Sequence, residues 1–272
     1  MSSASDVASI LEELRQADGG FGPSADAPSE PEPTAMAALA LDDDRARAWL
    51  EEHQREDGAW LVGPESVGND AATPLAALAL PGTSRERALD YLVAHRAVQA
   101  GPDERVPHDP ETRGWGWTPT TFGWVEPTAR AVLALKLLRP VATAEIADGL
   151  AVLADRESVG GGWNYGNRRV LGEDLPPFLQ TTAAALLSLH DGPAELRDRG
   201  IEAVQRLWRA EPGGLGWAMS LGALRLCERG DAGIAGGLAH LATETHLLDD
   251  VVALSWAVLA LGDGWRQLQV SA

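Results

Sequence analysis

Three observations predict an all-α fold, an α/α toroid (α6/α6 barrel) of six helical hairpins. A ten-residue Ala/Leu phrase recurs six times, amphipathic segments alternate with it, and turns rich in Gly and aromatic residues join the two. Self-similarity at a period of a few tens of residues marks one supersecondary unit stacked on copies of itself.

The phrases are EPTAMAALAL (32–41), AATPLAALAL (71–80), EPTARAVLAL (126–135), QTTAAALLSL (180–189), WAMSLGALRL (217–226) and VALSWAVLAL (252–261). Aligned on the penultimate leucine, at Leu39, Leu78, Leu133, Leu187, Leu224 and Leu259, they step by 39, 55, 54, 37 and 35 residues, room for one hairpin per step. Each phrase is apolar on nearly every side, so a helix built from it must be buried all round. These are the inner helices.

The segments between them carry an apolar stripe at i, i+3, i+4 and i+7. It reads Val7, Ile10, Leu11, Leu14; then Ala46, Trp49, Leu50, His53; then Ala88, Tyr91, Leu92, His95. Ile146, Gly149, Leu150, Leu153 and Ile234, Gly237, Leu238, Leu241 repeat it, and Ile201, Val204, Trp208 fit more loosely. One face is dry and the other wet, as outer helices require. Closing six such hairpins into a ring buries every inner face. No linker or composition break divides residues 1–272, so a single domain is expected.

MSSASDVASILEELRQ has no basic n-region or apolar h-region, and no 18-residue uncharged apolar run occurs. A soluble, cytoplasmic chain without a membrane span is expected. The one cysteine, Cys227, leaves no internal disulfide and no cysteine-based zinc cluster, and no metal or cofactor is expected. A net charge of −18, from 22 basic and 40 acidic residues, argues against nucleic acid and anionic membranes as partners. Its plainest meaning is a solvated surface.

The turns read QADGGFG (16–22), QREDGAW (54–60), GWGW (114–117), GGGWNYG (160–166) and EPGGLGW (211–217). Glycine lets the chain end one helix and reverse, and Gln16 and Gln54 are placed to bond orphaned backbone groups there. Trp49-Leu50, three residues, Gln54, three residues, then Gly58-Ala59-Trp60 resembles the QW repeat of squalene and other class II terpene cyclases. With the inner phrases, residues from about 5 to 262 resemble the prenyltransferase and squalene-cyclase repeat superfamily. The resemblance implies the toroid and a hydrophobic, isoprenoid-like ligand in a central cavity.

In class II cyclases an Asp-x-Asp-Asp motif opening an inner helix supplies a proton. Two carboxylates are needed because a charged neighbour and burial together keep the proton on one of them. Here Val125-Glu126-Pro127-Thr128 offers a single acid, and Leu247-Leu248-Asp249-Asp250 keeps only the final two. Asp249, Asp250 and Glu126 are the candidate catalytic residues of a class II cyclase-like isomerase or lyase. For Asp249 and Asp250, helix capping is the stronger reading, since the macrodipole favours ionised acids at a helix start. Asp42, Asp43 and Asp44 read as caps of the next outer helix for the same reason. Protein prenyltransferases of the superfamily hold zinc through Asp, Cys and His, but Cys227 has no Asp-x-Cys beside it. His53 and His95 occupy equivalent stripe positions and read as packing residues.

The starts of the inner helices are expected to gather at one mouth, rimmed by Glu32, Asp70, Glu126, Gln180, Asp249 and Asp250. Trp60, Trp115, Trp117, Trp124, Trp163, Tyr165 and Trp217 lie near them in sequence, and Arg168 with Arg169 could accept an anion. An acid-rimmed, aromatic-lined hollow suits a neutral or cationic hydrophobic ligand. The Pro- and Gly-rich insertions 96–125 and 164–179 precede the third and fourth inner helices and favour binding at that mouth. In the alternative, the rings stack on helix ends and fill the hollow. A second reading, favoured by the incomplete acid motif, is a non-catalytic toroid scaffold that binds a protein partner through its acidic mouth or outer ring.

Overall fold

The computed structural model describes residues 4–61, 71–99, 101, 102, 108, 109, 111–118 and 120–270. Asp70, expected at the mouth, lies outside the described residues. Twelve α-helices account for most of the described chain, so the fold is all-α. They are α1 (Ala4–Glu13), α2 (Pro31–Leu41), α3 (Asp44–Glu52), α4 (Thr73–Ala79), α5 (Gly82–Ala94) and α6 (Val125–Leu138), then α7 (Thr143–Asp155), α8 (Leu179–Leu189), α9 (Ala194–Leu207), α10 (Gly214–Leu226), α11 (Ala232–Thr245) and α12 (Val251–Leu261). Among the described residues no helix is long and apolar enough to cross a membrane.

The even-numbered helices are the Ala/Leu phrases, and they are buried as an all-round apolar surface demands. In α8 every residue from Thr181 to Leu189 is buried. α2 packs on α4, α4 on α6, α6 on α8, α8 on α10, α10 on α12, and α12 again on α2. Each odd-numbered helix rests on one of these: α3 on α2, α5 on α4, α7 on α6, α9 on α8, α11 on α10 and α1 on α12. The stripes face inward, with Val7 and Leu11, Ala46 and Leu50, Ala88 and Leu92, and Ile234 and Leu238 all buried.

A repeated clasp joins each of the first four turns to the inner helix that follows. The threonine five residues before each penultimate leucine, at Thr34, Thr73, Thr128 and Thr182, accepts the backbone N–H of Phe21, Trp60, Trp115 and Trp163 at 2.9, 3.2, 3.0 and 3.0 Å. Thr34, Thr128 and Thr182 also donate to the carbonyl of the same aromatic residue. Each hydroxyl thereby satisfies backbone groups that burial would otherwise strand. The last two copies carry Met219 and Leu254 at this position.

The tryptophans complete the joint. Trp60, Trp115 and Trp163 are buried and donate their indole N–H to Leu50 O, Leu92 O and Leu153 O at 2.8, 2.9 and 2.6 Å, and Trp217 does the same to Trp208 O at 2.9 Å. Glycines on the next outer helix make room for three of the rings. A Cβ at Gly149, Gly200 or Gly237 would stand 3.0, 3.0 or 2.5 Å from Trp115, Trp163 or Trp217.

Gln54 bonds Gly58 O and Ser84 O, and Gln16 bonds Ala25 O, as end-of-helix glutamines are expected to do. Asp43 caps α3 through Arg45 N and Ala46 N. Burial pushes its carboxyl up, but hydrogen bonds from Arg15 and the Ala46 N–H prevail and hold it below the usual range. His53 and His95 stack on Trp49 and Tyr91 at ring separations of 3.9 and 4.1 Å. They close the last turns of α3 and α5 while remaining exposed at the surface.

Two local features depart from the helical expectation. Residues 164–179 contain a short hairpin, β1 (Arg169–Val170) with β2 (Glu173–Asp174), turned through Leu171 and Gly172 at φ 52° and 87°. Ahead of α12, His246, Leu247, Leu248 and Asp249 all take positive φ, 49° to 59°. L-residues visit that region singly and at a cost, so four in succession form a strained left-handed turn.

Candidate functional site

One residue that sequence reasoning passed over organises the centre of the molecule. At the position three residues before the penultimate leucine, five copies carry Met36, Leu75, Ala184, Leu221 and Trp256, and the third carries Arg130. Its Nη2 donates to Glu32 Oε1 at 2.7 Å and to Glu126 Oε1 at 2.6 Å. The Arg130 side chain is 13% exposed, Glu126 4% and Glu32 24%. Burial alone would lower Arg130, but the charges of Glu32 and Glu126 raise it above its ordinary value. The Trp117 ring lies 5.7 Å from the guanidinium, within cation–π range. Arg130 Nη1 is buried and has no hydrogen-bond partner among the described residues. The signal was present in EPTARAVLAL, where one charged residue interrupts an apolar helical face.

All six even-numbered helices contribute to one shared space, lined by Leu39, Leu78, Leu133, Leu187 and Leu259 with Arg130, Trp256 and both Met36 and Met219 among others. Its volume is about 20 Å³. Small-molecule sites measure several hundred cubic ångströms, and this space accommodates little more than a water molecule. The expectation of a roomy central cavity therefore does not describe this geometry. Alanine-rich helices approach closely, and leucine and methionine side chains fill what remains.

Open space lies instead where α8, α10 and α12 begin. A groove of about 610 Å³ runs between them and the end of α11, lined by Leu215, Leu241, Leu247, Leu248 and Ala253, with Gln180, Thr245 and Asp250 as polar groups. A second hollow of about 220 Å³ is bordered by Trp124, Tyr165 and Phe178 in front of α6 and α8.

The expected site residues are thus divided. Gln180 and Asp250 meet in the groove, and Trp124 and Tyr165 in the smaller hollow. Glu32 and Glu126 come together, but on Arg130. Trp60, Trp115 and Trp163, expected to line a ligand site, are instead consumed by the hairpin joints, because a buried indole N–H needs an acceptor and the end of an outer helix supplies one. Trp217 packs edge-on against Trp208, centroids 5.7 Å apart. Arg169 pairs with Asp174 across the hairpin at 3.1 Å, and Arg168 is exposed. Asp250 caps α12, accepting Ala253 N–H at 3.0 Å, while Asp249 sits in the left-handed turn. Glu126 is paired with Glu32, but through a guanidinium that both carboxylates accept from, and Asp250 accepts a helix-start N–H; a proton donor needs two carboxylates without a cation between them. Burial pushes the Cys227 thiol up to about 11, which disfavours the reactive thiolate.

No protein-family model matches the chain, and no curated protein matches it. Among solved structures, a protein from Actinoplanes is similar in fold, with a TM-score of 0.55 and 17% sequence identity over 97% of this chain and 99% of that one.

Proposed function

We propose that this protein is a non-catalytic α/α toroid of the squalene-cyclase type, binding a hydrophobic, isoprenoid-like molecule at the mouth of the ring rather than along its axis. The observation that carries the reading is the contrast between the filled axis, about 20 Å³, and the groove at the helix starts, about 610 Å³. The groove has the size and the mix of many apolar and few polar groups typical of small-molecule sites. The cycle of contacts from α2 through α12 back to α2 supports the toroid. A second reading, a basic protein segment carrying apolar side chains, is favoured by Leu248, 83% exposed at the groove edge of a strongly acidic chain.

Gly213 offers a clean test. Its φ of 176° is ordinary extended backbone, and a Cβ there meets nothing within 4 Å. Gly213→Phe should fill the groove without strain. Farnesol titrated against tryptophan fluorescence should bind the parent saturably and the variant at least about tenfold more weakly. Equal affinity for both proteins would remove the groove as the site, and farnesol-free protein that binds basic peptides instead would favour the second reading.

A further inference from the structure

The insertion before α8 leaves aromatic surface in water beside a charge without a partner. Tyr165 is 55% and Phe178 38% exposed, and their rings lie 5.3 Å apart at 42°. With Trp124, Leu175 and Pro176 they wall the hollow of about 220 Å³ in front of α6 and α8. Trp124 is supported in turn by Phe122, on which it stacks with centroids 5.0 Å apart. The polar groups of this loop are already spent. Asn164 Nδ2 donates to Asn167 O and its Oδ1 accepts the Gly166 N–H, both at 3.0 Å. The carbonyls of Tyr165 and Gly166 accept Val125 N–H and Arg156 Nη1, each at 3.0 Å. A ligand rich in hydroxyl groups exchanges water for few partners here, whereas a ring gains from aromatic walls.

The edge of the hollow is positive. Arg168 follows Asn167 of the lining, and its carbonyl accepts the Leu175 N–H at 2.9 Å, which fixes its backbone at the rim. Its side chain is exposed and, unlike that of Arg169, meets no carboxylate among the described residues. Arg156 is 3% exposed and lies 3.2 Å from Asp155. Burial lowers Arg156, Asp155 and Asp109 raise it, and the charge of Arg168 lowers it again, so the two guanidinium groups repel each other. We propose that this hollow is a binding site for a small aryl carboxylate, with its ring against Trp124, Tyr165 and Phe178 and its acid group on Arg168. An anion there offsets the repulsion between the arginines, and an ammonium would add a third positive charge. A volume of about 220 Å³ falls below the range of roughly 300–1,000 Å³ that holds drug-sized ligands, and it suits one ring on a short chain. The hollow shares no lining residue with the mouth groove, so this site does not depend on the isoprenoid reading.

The test titrates the full chain calorimetrically with three probes that share one ring and one chain length: 3-phenylpropionate, 3-phenylpropanol and 3-phenylpropylamine. The acid should bind tightest and the amine weakest, with about fivefold between acid and alcohol, the worth of one charge-assisted contact at an exposed site. Arg168→Gln should bring the acid level with the alcohol and leave the alcohol unchanged, which also reports an intact hollow. Tyr165→Ala, at an exposed ring, should weaken all three about tenfold. Gly213→Phe, which fills the mouth groove, should change none of them. A preference for the amine, or equal affinity for all three, would overturn the acid assignment. An acid preference that survives Arg168→Gln, binding indifferent to Tyr165→Ala or lost in Gly213→Phe, or no binding at all, would overturn the site.

Discussion

The first four hairpins and the last two are built from the same phrase and end differently. In the first four, a threonine ties the preceding turn to the inner helix through the backbone of Phe21, Trp60, Trp115 or Trp163. In the last two, Met219 and Leu254 occupy that position, and serines follow: Ser255 Oγ bonds Val251 O on its own helix, and Ser220 Oγ has no partner among the described residues. The large groove opens between α8, whose copy keeps the clasp, and α10, α11 and α12, of which α10 and α12 lack it. The left-handed turn at 246–249 lies in the same unclasped region.

The largest effect is expected in the clasped part, where Glu32 of the first hairpin and Glu126 and Arg130 of the third share a buried ion triad. Arg130→Met should cost about 3–5 kcal/mol, since it strands two carboxylates, and adding Glu32→Gln with Glu126→Gln should recover most of that. Urea denaturation measures both, and a neutral Arg130→Met would mean the triad is not buried in solution. Next in size, Thr182→Val should lose about 1–3 kcal/mol by leaving the Trp163 N–H unpaired. Leu254→Val, at the equivalent position of the unclasped sixth copy, should show only the loss of about one methylene, about 1 kcal/mol. Comparable losses would erase the distinction between the two regions. Smaller still, Leu248→Gly should stabilise by up to about 1 kcal/mol, because glycine tolerates the left-handed region and the lost side chain is exposed. Thermal denaturation would show a drop instead if the turn were held by Leu248 packing.

The smallest effect concerns pH. Burial lowers His190, outweighing its hydrogen bond to Leu187 O and the neighbouring Asp191, while Lys136 adds to the lowering. A histidine depressed on folding takes up a proton more readily when unfolded. Its contribution is therefore present above the unfolded pKa of 6.5 and lost as pH falls from there through the folded value. Tm should decline below pH 6.5 with a slope that His190→Asn reduces, and an unchanged slope would assign the decline to other groups.

Helix identity and order were legible because periodicity is local. An all-round apolar run has no stable place except inside, and a stripe at i, i+3, i+4 and i+7 has one dry face. Asp43 as a cap and Gln54 as a helix-end donor were legible too, since Arg45, Ala46 and Gly58 lie within a few residues of them, whereas Arg15 and Ser84, their distant partners, were not. The fate of the tryptophans was not, because Trp115 finds its acceptor at Leu92, across an insertion, and its space at Gly149, on another helix. Arg130 could have been noticed as an interruption, but its partner Glu32 is 98 residues away.

By itself, then, the sequence determined twelve helices, their alternation and which of them are buried, all consequences of spacing along one chain. Only the tertiary structure decided that the alanine-rich helices pack closely on one another, that Leu268 joins the lining of the small space between them and that the groove lies at α8, α10 and α12. Those outcomes depend on how side chains distant in sequence share a fixed volume, and residue order does not encode that volume locally.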